Sequence, residues 1–238
     1  AATPFLLEPD GATPLIQPLT ASNAFAIHAA ENGRLWLGTN LGVSRQLEDG
    51  SWQAIPLTED SLAETTSALV ALADGSLLLG GTNGSILRWA DGQTSLVGNA
   101  AGGNGAPIST LVTVADGTVW RGSFGGSVAQ LEANRWRPFP ASPPIYGEQI
   151  REAAVSQPQT LWLATNNGLV SMTTVGERTV CQRVVADYPE AAGLAADLTG
   201  QLWLVSERIV YRGNAAGFER VGTLALPVTD VSPDGAVW

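Results

Sequence analysis

The residue types that most often do chemistry in proteins are scarce in this chain. Histidine and cysteine each occur once, as His28 and Cys181. One histidine cannot act both as a metal ligand and as a separate general base, and no spacing suggests a catalytic triad or a carboxylate pair. We therefore expect no catalytic residue, no metal and no cofactor. His28 is expected to have a structural role, and Cys181 to be an inert strand residue that forms no internal disulfide.

Other side chains could bind a polar ligand instead. The segment IYGEQIRE combines an aromatic ring, a carboxylate and a guanidinium group, and the segment VADYPEAA repeats the pairing of an acid with an aromatic residue. For each of these positions the alternative is a solvated residue in a variable loop. The predicted ligand-binding residues are Arg121, Phe124, Tyr146, Glu148, Arg151, Asp187, Tyr188 and Arg208.

Composition and charge exclude several classes of partner. The 238 residues are 45% hydrophobic and 14% charged, which is typical of a compact globular protein. The net charge is −10 and the basic residues are all arginine, so no basic patch is available to bind phosphates. Apolar runs are too short for a membrane-spanning helix. We expect no nucleic-acid partner and no membrane insertion by this segment.

An internal repeat organises the chain. An apolar residue followed by tryptophan recurs at intervals of 42, 42, 42, 41 and 35 residues, with leucine replacing tryptophan once. A turn pair such as Asn-Gly or Asp-Gly precedes most of these steps, and a short polar or glycine-rich turn follows them. The second residues of the steps are Trp36, Leu78, Trp120, Trp162, Trp203 and Trp238.

Each repeat predicts four short antiparallel strands. Asn-Gly and Asp-Gly supply the positive φ angles that two-residue hairpin turns need, and no segment has a sustained helical period. Four strands in about 40 residues are typical of a β-propeller blade. We therefore predict a single all-β domain, a six-bladed β-propeller over residues 1–238. The predicted blades are 20–57, 66–98, 108–140, 151–185, 192–223, and a sixth formed by 227–238 with 1–19.

The two ends of the chain are predicted to complete one blade together. Joining Trp238 to Ala1 produces DGAVW-AATPFLLEPDG, which matches the order of turn and strand residues in the other repeats. An open ring would expose two unpaired strand edges, which are sites of aggregation. The expectation is that the terminal segments close the ring within one blade and lie close together. A chain cut from a longer propeller array would end in the same way.

The repeat alignment also indicates where a site would lie. The turns between second and third strands share one face with the connections between blades, and the longest loops occur there, including 138–152 and 185–192. Arg121 interrupts a column that holds leucine in other blades, and Glu207-Arg208 replaces an Asn-Gly turn. A guanidinium between packed sheets needs a carboxylate or a ligand, so Arg121 is either a binding residue or half of an internal ion pair.

The repeats resemble the two-component-regulator propeller family. The resemblance rests on NGRLWLGTNLGVSR (32–45), DGSLLLGGTNGSILR (74–88), DGTVWRGSFGGSVAQ (116–130) and PQTLWLATNNGLVSM (158–172). Members of this family form extracytoplasmic ligand-sensing portions of signalling proteins. The resemblance implies a non-enzymatic sensor domain in the periplasm or outside the cell.

The DGxxW repeats are also similar to those of streptogramin-lyase-like propellers, which use a histidine and a bound metal. That resemblance directs attention to His28, which has no nearby carboxylate cluster in the sequence. Three functions remain open at this point. They are a sensor that binds a small polar ligand or a peptide on the loop-rich face, a scaffold that binds another protein, and a metal-dependent lyase.

Overall fold

The computed structural model describes residues 5–8, 11–14, 24–29, 35–55, 57, 65–97, 105–114, 116–139, 148–156, 160–175, 178–185, 191–197 and 199–223. All regular elements within these ranges are β-strands, in agreement with the absence of a helical period. The same ranges contain no helix long and apolar enough to cross a membrane.

The strands form one hairpin and five four-stranded sheets. The hairpin consists of β1 (Phe5–Glu8) and β2 (Gly11–Pro14). Blade 1 contains β3 (Ala24–Ala29), β4 (Leu35–Thr39), β5 (Gly42–Gln46) and β6 (Trp52–Ile55). Blade 2 contains β7 (Thr66–Ala71), β8 (Leu77–Gly81), β9 (Ile86–Ala90) and β10 (Gln93–Leu96). Blade 3 contains β11 (Ile108–Thr113), β12 (Val119–Ser123), β13 (Val128–Glu132) and β14 (Arg135–Pro138).

The remaining two blades have longer outer strands. Blade 4 contains β15 (Ile150–Ser156), β16 (Thr160–Thr165), β17 (Gly168–Val175) and β18 (Arg178–Val185). Blade 5 contains β19 (Ala191–Ala196), β20 (Leu202–Ser206), β21 (Ile209–Asn214) and β22 (Gly217–Thr223). In every blade, strands that follow one another in sequence pair antiparallel. The first strands of successive blades contact one another, so β3, β7, β11, β15 and β19 are the innermost strands.

The prediction of six blades is wrong, because the described residues form five four-stranded blades and one separate two-stranded hairpin. The spacing argument counted each Trp step as a complete blade, whereas a blade needs four paired strands. Of the segments assigned to the sixth blade, the described part of residues 1–19 forms only the β1–β2 hairpin. Residues 224–238, and with them Trp238, lie outside the described residues, as does Ala1.

In blades 2, 3 and 5, an aspartate carboxylate accepts hydrogen bonds within the turn between the first and second strands. In blade 2 the backbone N–H of Leu72 donates to the carbonyl of Ser76, and Gly75 has a φ of 82° that a side chain would strain. The carboxylate of Asp74 accepts from the backbone N–H and the hydroxyl of Ser76. The predicted two-residue turn with positive φ at both positions occurs instead at Asp91-Gly92, between third and fourth strands.

These turn aspartates should make the fold sensitive to acid. Hydrogen bonds, chiefly from the hydroxyl of Thr199, lower the pKa of Asp197 below its ordinary value of 3.8. Asp49, Asp74 and Asp116 show the same downward shift, caused first by the hydroxyl two residues on. A carboxyl whose pKa is lower in the folded state adds stability above its unfolded pKa and loses it as pH falls.

We therefore expect the melting temperature to be flat above about pH 5 and to fall below about pH 4. The Asp197→Asn variant should show a shallower fall, measured by thermal unfolding from pH 6 to pH 2.5. Asp91→Asn is the control, because Asp91 lies in a turn without accepting a hydrogen bond from the described residues. An equal slope in all three proteins would contradict this expectation.

Close approach between blades explains a repeated glycine in the second strands. A Cβ on Gly80 would lie 2.6 Å from Cγ2 of Ile108, and a Cβ on Gly122 would lie 2.7 Å from Cγ2 of Ile150. In both cases the isoleucine opens the first strand of the next blade. The missing side chain therefore lets the inner strands converge around the propeller axis.

Tryptophan side chains fill the spaces between blades. Trp36, Leu78, Trp120, Trp162 and Trp203 occupy equivalent positions on second strands, as the alignment predicted. Trp162 is 1% exposed and packs against residues of blade 5, including Leu194 and Leu204. The core is therefore a series of apolar layers between neighbouring sheets, and the polar groups available for function lie on the axis and on the two faces.

Candidate functional site

The innermost strands enclose a central channel with a volume of about 760 Å³. Each first strand is the edge of its sheet, so one side of its backbone is not used by the sheet ladder. The channel wall combines aliphatic side chains with hydroxyl groups, and its described titratable residues are His28 and Glu152. This concave feature on the propeller axis is the candidate binding site.

The channel wall runs from Phe25, Ser67 and Ser109, near the face that carries the longer loops, to the turn residues Ala73, Gly75 and Gly117 near the opposite face. The loop face is defined by the turns at residues 40–41, 82–85, 124–127, 166–167 and 207–208. In blades 2, 3 and 4 the turn is hydrogen-bonded to the described part of the connection into the same blade. The backbone N–H of Phe124 donates to the carbonyl of Pro107, and that of Asn166 donates to Gln149. These bonds hold the turns against the starts of the first strands, which gives the mouth of the channel a rigid rim.

The first strand of every blade has a β-bulge at its second residue, close to the loop face. The bulged residues are Phe25, Ser67, Ser109, Arg151 and Ala192. A bulge leaves one residue unpaired and redirects its side chain. Because the bulge recurs at the same level in five blades, the bulged residues form a ring around the axis, and Phe25, Ser67 and Ser109 contribute to the channel wall.

Arg151 is the one predicted ligand-binding residue in this ring, and it is not among the described residues that line the channel. It is partly exposed and makes no hydrogen bond or ion pair with the described residues. Arg208 and Phe124 also lie on the loop face, in the turns of blades 5 and 3, and Phe124 is 42% exposed. Tyr146, Asp187 and Tyr188 lie outside the described residues.

Arg121 lies between blades 2 and 3, away from the other candidates. It is 2% exposed, its Nη1 donates to Oγ of Ser127 at 3.3 Å, and its guanidinium lies 5.7 Å from the centre of the Trp136 ring. Burial lowers the pKa of Arg121 from its ordinary value, because desolvation penalises the charged form. The guanidinium is therefore a fixed part of this interface between blades.

Glu148 belongs to a local network that holds a turn of blade 4. Its carboxylate accepts from the hydroxyl of Thr165 at 2.9 Å and forms an ion pair with Arg183. Arg183 also donates to the carbonyl of Asn167 at 2.5 Å. Glu148 thus has internal partners, and it shares none of them with Arg121. The structure does not bring these two predicted residues together.

Glu152 is the channel residue that sequence reasoning missed. Its Oε1 accepts from the hydroxyl of Thr110 at 2.7 Å and from the backbone N–H of Ala153 at 3.0 Å. The same position of the first strand holds Ala26, Ala68, Thr110 and Gly193 in the other blades. Glu152 is an acidic residue at a position where the other blades have small residues, just as Arg121 is a basic residue at a position where they have leucine. The exception at Glu152 becomes visible only when the blades are aligned by the register of the bulged first strand.

Two hydroxyl groups in the channel wall lack partners. Ser109 Oγ and Thr113 Oγ1 are buried and have no hydrogen-bond partner among the described residues. Ser109 is 8% exposed, so its hydroxyl has lost most of its contact with solvent. Buried polar groups are normally satisfied, and leaving one unsatisfied carries a free-energy penalty. Both oxygens are almost completely inaccessible to solvent although the channel is open, so they lie behind the wall surface and do not face a molecule in the channel.

The described residues do not fit a metal centre. They contain no group of three or more histidine, cysteine, aspartate or glutamate residues arranged to hold a metal ion. Burial lowers the pKa of His28 below its ordinary value of 6.5, so the imidazole is neutral at neutral pH. Cys181 is buried with a free thiol.

Comparison with solved structures identifies propellers of several functions. A streptogramin B lyase superposes with a TM-score of 0.76 at 15% identity, over 98% of this chain and 81% of the lyase. A gluconolactonase from Xanthomonas campestris has a TM-score of 0.73 at 18% identity, over 98% of this chain and 89% of that protein. Neither protein-family models nor curated proteins match the sequence.

The third comparison is with a sensory protein. A chain described as the extracellular domain of a hybrid two-component system of B. thetaiotaomicron has a TM-score of 0.71 at 18% identity. The match covers 97% of the present chain and 34% of that domain, so this chain spans about a third of its length. Both resemblances stated from the repeats are thus found among proteins of similar structure. At these identities the similarity establishes the propeller fold.

Proposed function

We propose that this chain is a non-enzymatic sensor propeller that binds a small polar ligand at the loop-face end of its central channel. The observation that carries the proposal is the channel itself, which has a volume of about 760 Å³ and a largely aliphatic wall that also contains His28 and Glu152. A cavity of this size can enclose a small organic molecule. The rigid blades would position the ligand, and the ring of bulged residues would select it.

Similarity to the extracellular domain of a two-component system supports a sensory role and an extracytoplasmic location. The similarity to a lyase and a gluconolactonase supports the fold equally well, but the described residues offer neither a metal cluster nor a second histidine. If no small ligand binds in the channel, the alternative function is a scaffold that binds another protein on the loop face. Residues Tyr146, Asp187 and Tyr188 are proposed to belong to the same binding face as Arg151.

A thermal-shift screen tests this proposal. The protein is incubated with sugars, carboxylic acids, amines, short peptides and divalent cations, and a ligand that binds the folded state raises the melting temperature. We expect at least one class of organic ligand to do so, and the Arg151→Ala variant to respond less. Its stability should change by less than about 1 kcal/mol, because the side chain is partly exposed and makes no described bond.

Arg135→Ala is the matched control, because Arg135 is exposed on the outer strand β14 far from the axis. An unchanged melting temperature across the organic panel would contradict ligand binding and favour the scaffold. A response to divalent cations alone would favour the lyase. If Arg151→Ala unfolds the protein, the assignment of Arg151 to the binding face is wrong.

A further inference from the structure

The aromatic side chains of the described channel wall all come from blade 1. They are Phe25, His28 and Trp36, whereas the wall residues of blades 2 to 5 are aliphatic, small or hydroxyl-bearing, apart from Glu152. Phe25 is the bulged residue of β3 and is 47% exposed near the loop face. His28 lies three residues further along the same strand, a distance of about 10 Å. The channel is therefore asymmetric, with rings on the side of blade 1.

Trp36 differs from the residues at equivalent positions of blades 2 to 4. Leu78, Trp120 and Trp162 are 0%, 8% and 1% exposed, and none of them belongs to the channel wall. Trp36 is partly exposed and lines the channel. Its ring contacts that of Trp89 in blade 2, with centroids 5.8 Å apart and planes tilted by 58°. The indole is therefore a fixed aromatic surface that a molecule in the channel can contact.

His28 adds a hydrogen-bonding group beside this indole. It lies opposite Trp36 in the register of β3 and β4, so the two side chains are neighbours on one side of the blade. The imidazole is partly exposed and makes no hydrogen bond with the described residues, and its nitrogens are not among the buried atoms that lack a partner. They are therefore accessible. A neutral imidazole has one N–H donor and one acceptor, so it can bond to a hydroxyl or an amide.

Other polar side chains of the wall already have partners in the protein or are inaccessible. The hydroxyl of Ser67 donates to a backbone carbonyl of β11 at 2.7 Å, and that of Thr110 donates to Glu152 at 2.7 Å. The oxygens of Ser109 and Thr113 lie behind the wall surface. A molecule with many polar groups, such as a sugar, would lose its bonds to water here without enough replacements. The wall favours an apolar body with few polar groups.

We propose that the channel binds a small uncharged aromatic compound, whose ring packs against Trp36 and whose hydroxyl or amide group bonds to the imidazole of His28. This inference rests on the proposed ligand-binding function and specifies its ligand class. It also extends the site from Phe25, at the loop-face end, along β3. Aromatic rings prefer to pack on one another in offset or edge-to-face arrangements, which an aliphatic ring of the same size cannot reproduce.

Three probes of similar size test the two contacts separately. 4-Methylphenol has an aromatic ring and a hydroxyl, 4-methylcyclohexanol has only the hydroxyl, and toluene has only the aromatic ring. Their dissociation constants are measured by ligand-observed NMR titration at neutral pH. We expect 4-methylphenol to bind at least about threefold more tightly than either of the others, as one aromatic contact or one neutral hydrogen bond allows.

Two variants identify the residues responsible. His28→Phe keeps a ring but removes both nitrogens, so the advantage of 4-methylphenol over toluene should disappear while toluene still binds. Trp36→Leu copies Leu78 of blade 2 and should remove the advantage over 4-methylcyclohexanol. Trp36→Tyr keeps an aromatic ring and should retain that advantage, which separates the aromatic contact from a general disturbance of the layer. Phe124→Leu is the control, because Phe124 is exposed on the loop face and does not line the channel.

Several outcomes would overturn this assignment without affecting the proposed function. They are equal affinities for the three probes, an unchanged preference in His28→Phe or Trp36→Leu, and an equal loss in Phe124→Leu. Binding of sugars or carboxylic acids from the thermal-shift panel, but of no aromatic probe, would do the same. If neither the probes nor any organic compound of the panel binds, the proposed function itself fails.

Discussion

Replacing Trp162 with alanine is expected to lower the free energy of unfolding by about 3–5 kcal/mol, the range for deleting a buried tryptophan. Trp162 is 1% exposed and fills the space between blades 4 and 5. Its indole N–H donates to Oγ of Ser156 at 2.8 Å, and Ser156 is itself buried. The substitution therefore creates a cavity and removes the partner of a buried hydroxyl. Chemical denaturation followed by fluorescence of the remaining tryptophans measures the change.

Two milder variants separate the cavity from the hydrogen bond. Trp162→Leu copies Leu78, which occupies the equivalent position of blade 2 and is completely buried there. It should cost less than alanine because it fills more of the space. Trp162→Phe keeps most of the ring but cannot donate to Ser156, and a cost of about 1–2 kcal/mol is expected for the lost bond. A cost below about 1 kcal/mol for alanine would show that the layer between blades can collapse.

Gly80→Ala is expected to destabilise the protein by about 3 kcal/mol, at the upper end of the range for overpacking. The added Cβ would lie 2.6 Å from Cγ2 and 2.8 Å from Cβ of Ile108. The Cβ of Ile108 is attached to the backbone of β11, so relief requires the inner strands of blades 2 and 3 to move apart. The free energy of unfolding from urea titration measures the effect.

Gly222→Ala is the matched control for this glycine. Gly222 lies in the outer strand β22, and a Cβ built on it meets no atom within 4 Å. Replacing Gly222 with alanine should leave the free energy of unfolding unchanged or raise it by up to about 1 kcal/mol, because alanine lowers the conformational entropy of the unfolded chain. A second variant, Gly122→Ala, should resemble Gly80→Ala because its Cβ meets Ile150 and Thr110. Equal effects at Gly80 and Gly222 would contradict the close-approach explanation.

The strands and their register could be predicted because the repeat is strong and local. Tryptophan recurs at one register position of the second strand, and the turn aspartates recur just before it, so Trp36 and Trp120 are placed correctly by alignment alone. The number of blades could not be predicted in this way. The spacing shows how often the turn and tryptophan motifs recur, but a blade forms only where four strands pair. Residues 5–8 and 11–14 pair with each other as a hairpin.

The candidate site was predictable only in part. Arg121 was correctly identified as an exception in its column, but the partners of a buried guanidinium depend on how the strands pair and pack. Here the same blade supplies both Ser127, in the turn after β12, and the Trp136 ring on β14. The sequence IYGEQIRE suggested that Glu148 and Arg151 act together. In the fold, the carboxylate of Glu148 forms an ion pair with Arg183, which is 35 residues away in sequence. Arg151 makes no hydrogen bond or ion pair with the described residues.

By itself the sequence determined the all-β class, the four-strand repeat, the positions of the interblade tryptophans and the acidic character of the whole molecule. These features depend on composition and on spacings within about 40 residues, and local backbone preferences and side-chain alternation are enough to specify them. Only the tertiary structure decided how many blades form and which polar side chains reach the axis. Glu152 enters the channel because a β-bulge shifts the register of β15 and because Thr110, from the preceding blade, lies beside it. Such long-range packing has no local pattern, which is why the position of Glu152 in the channel wall was found only in the fold.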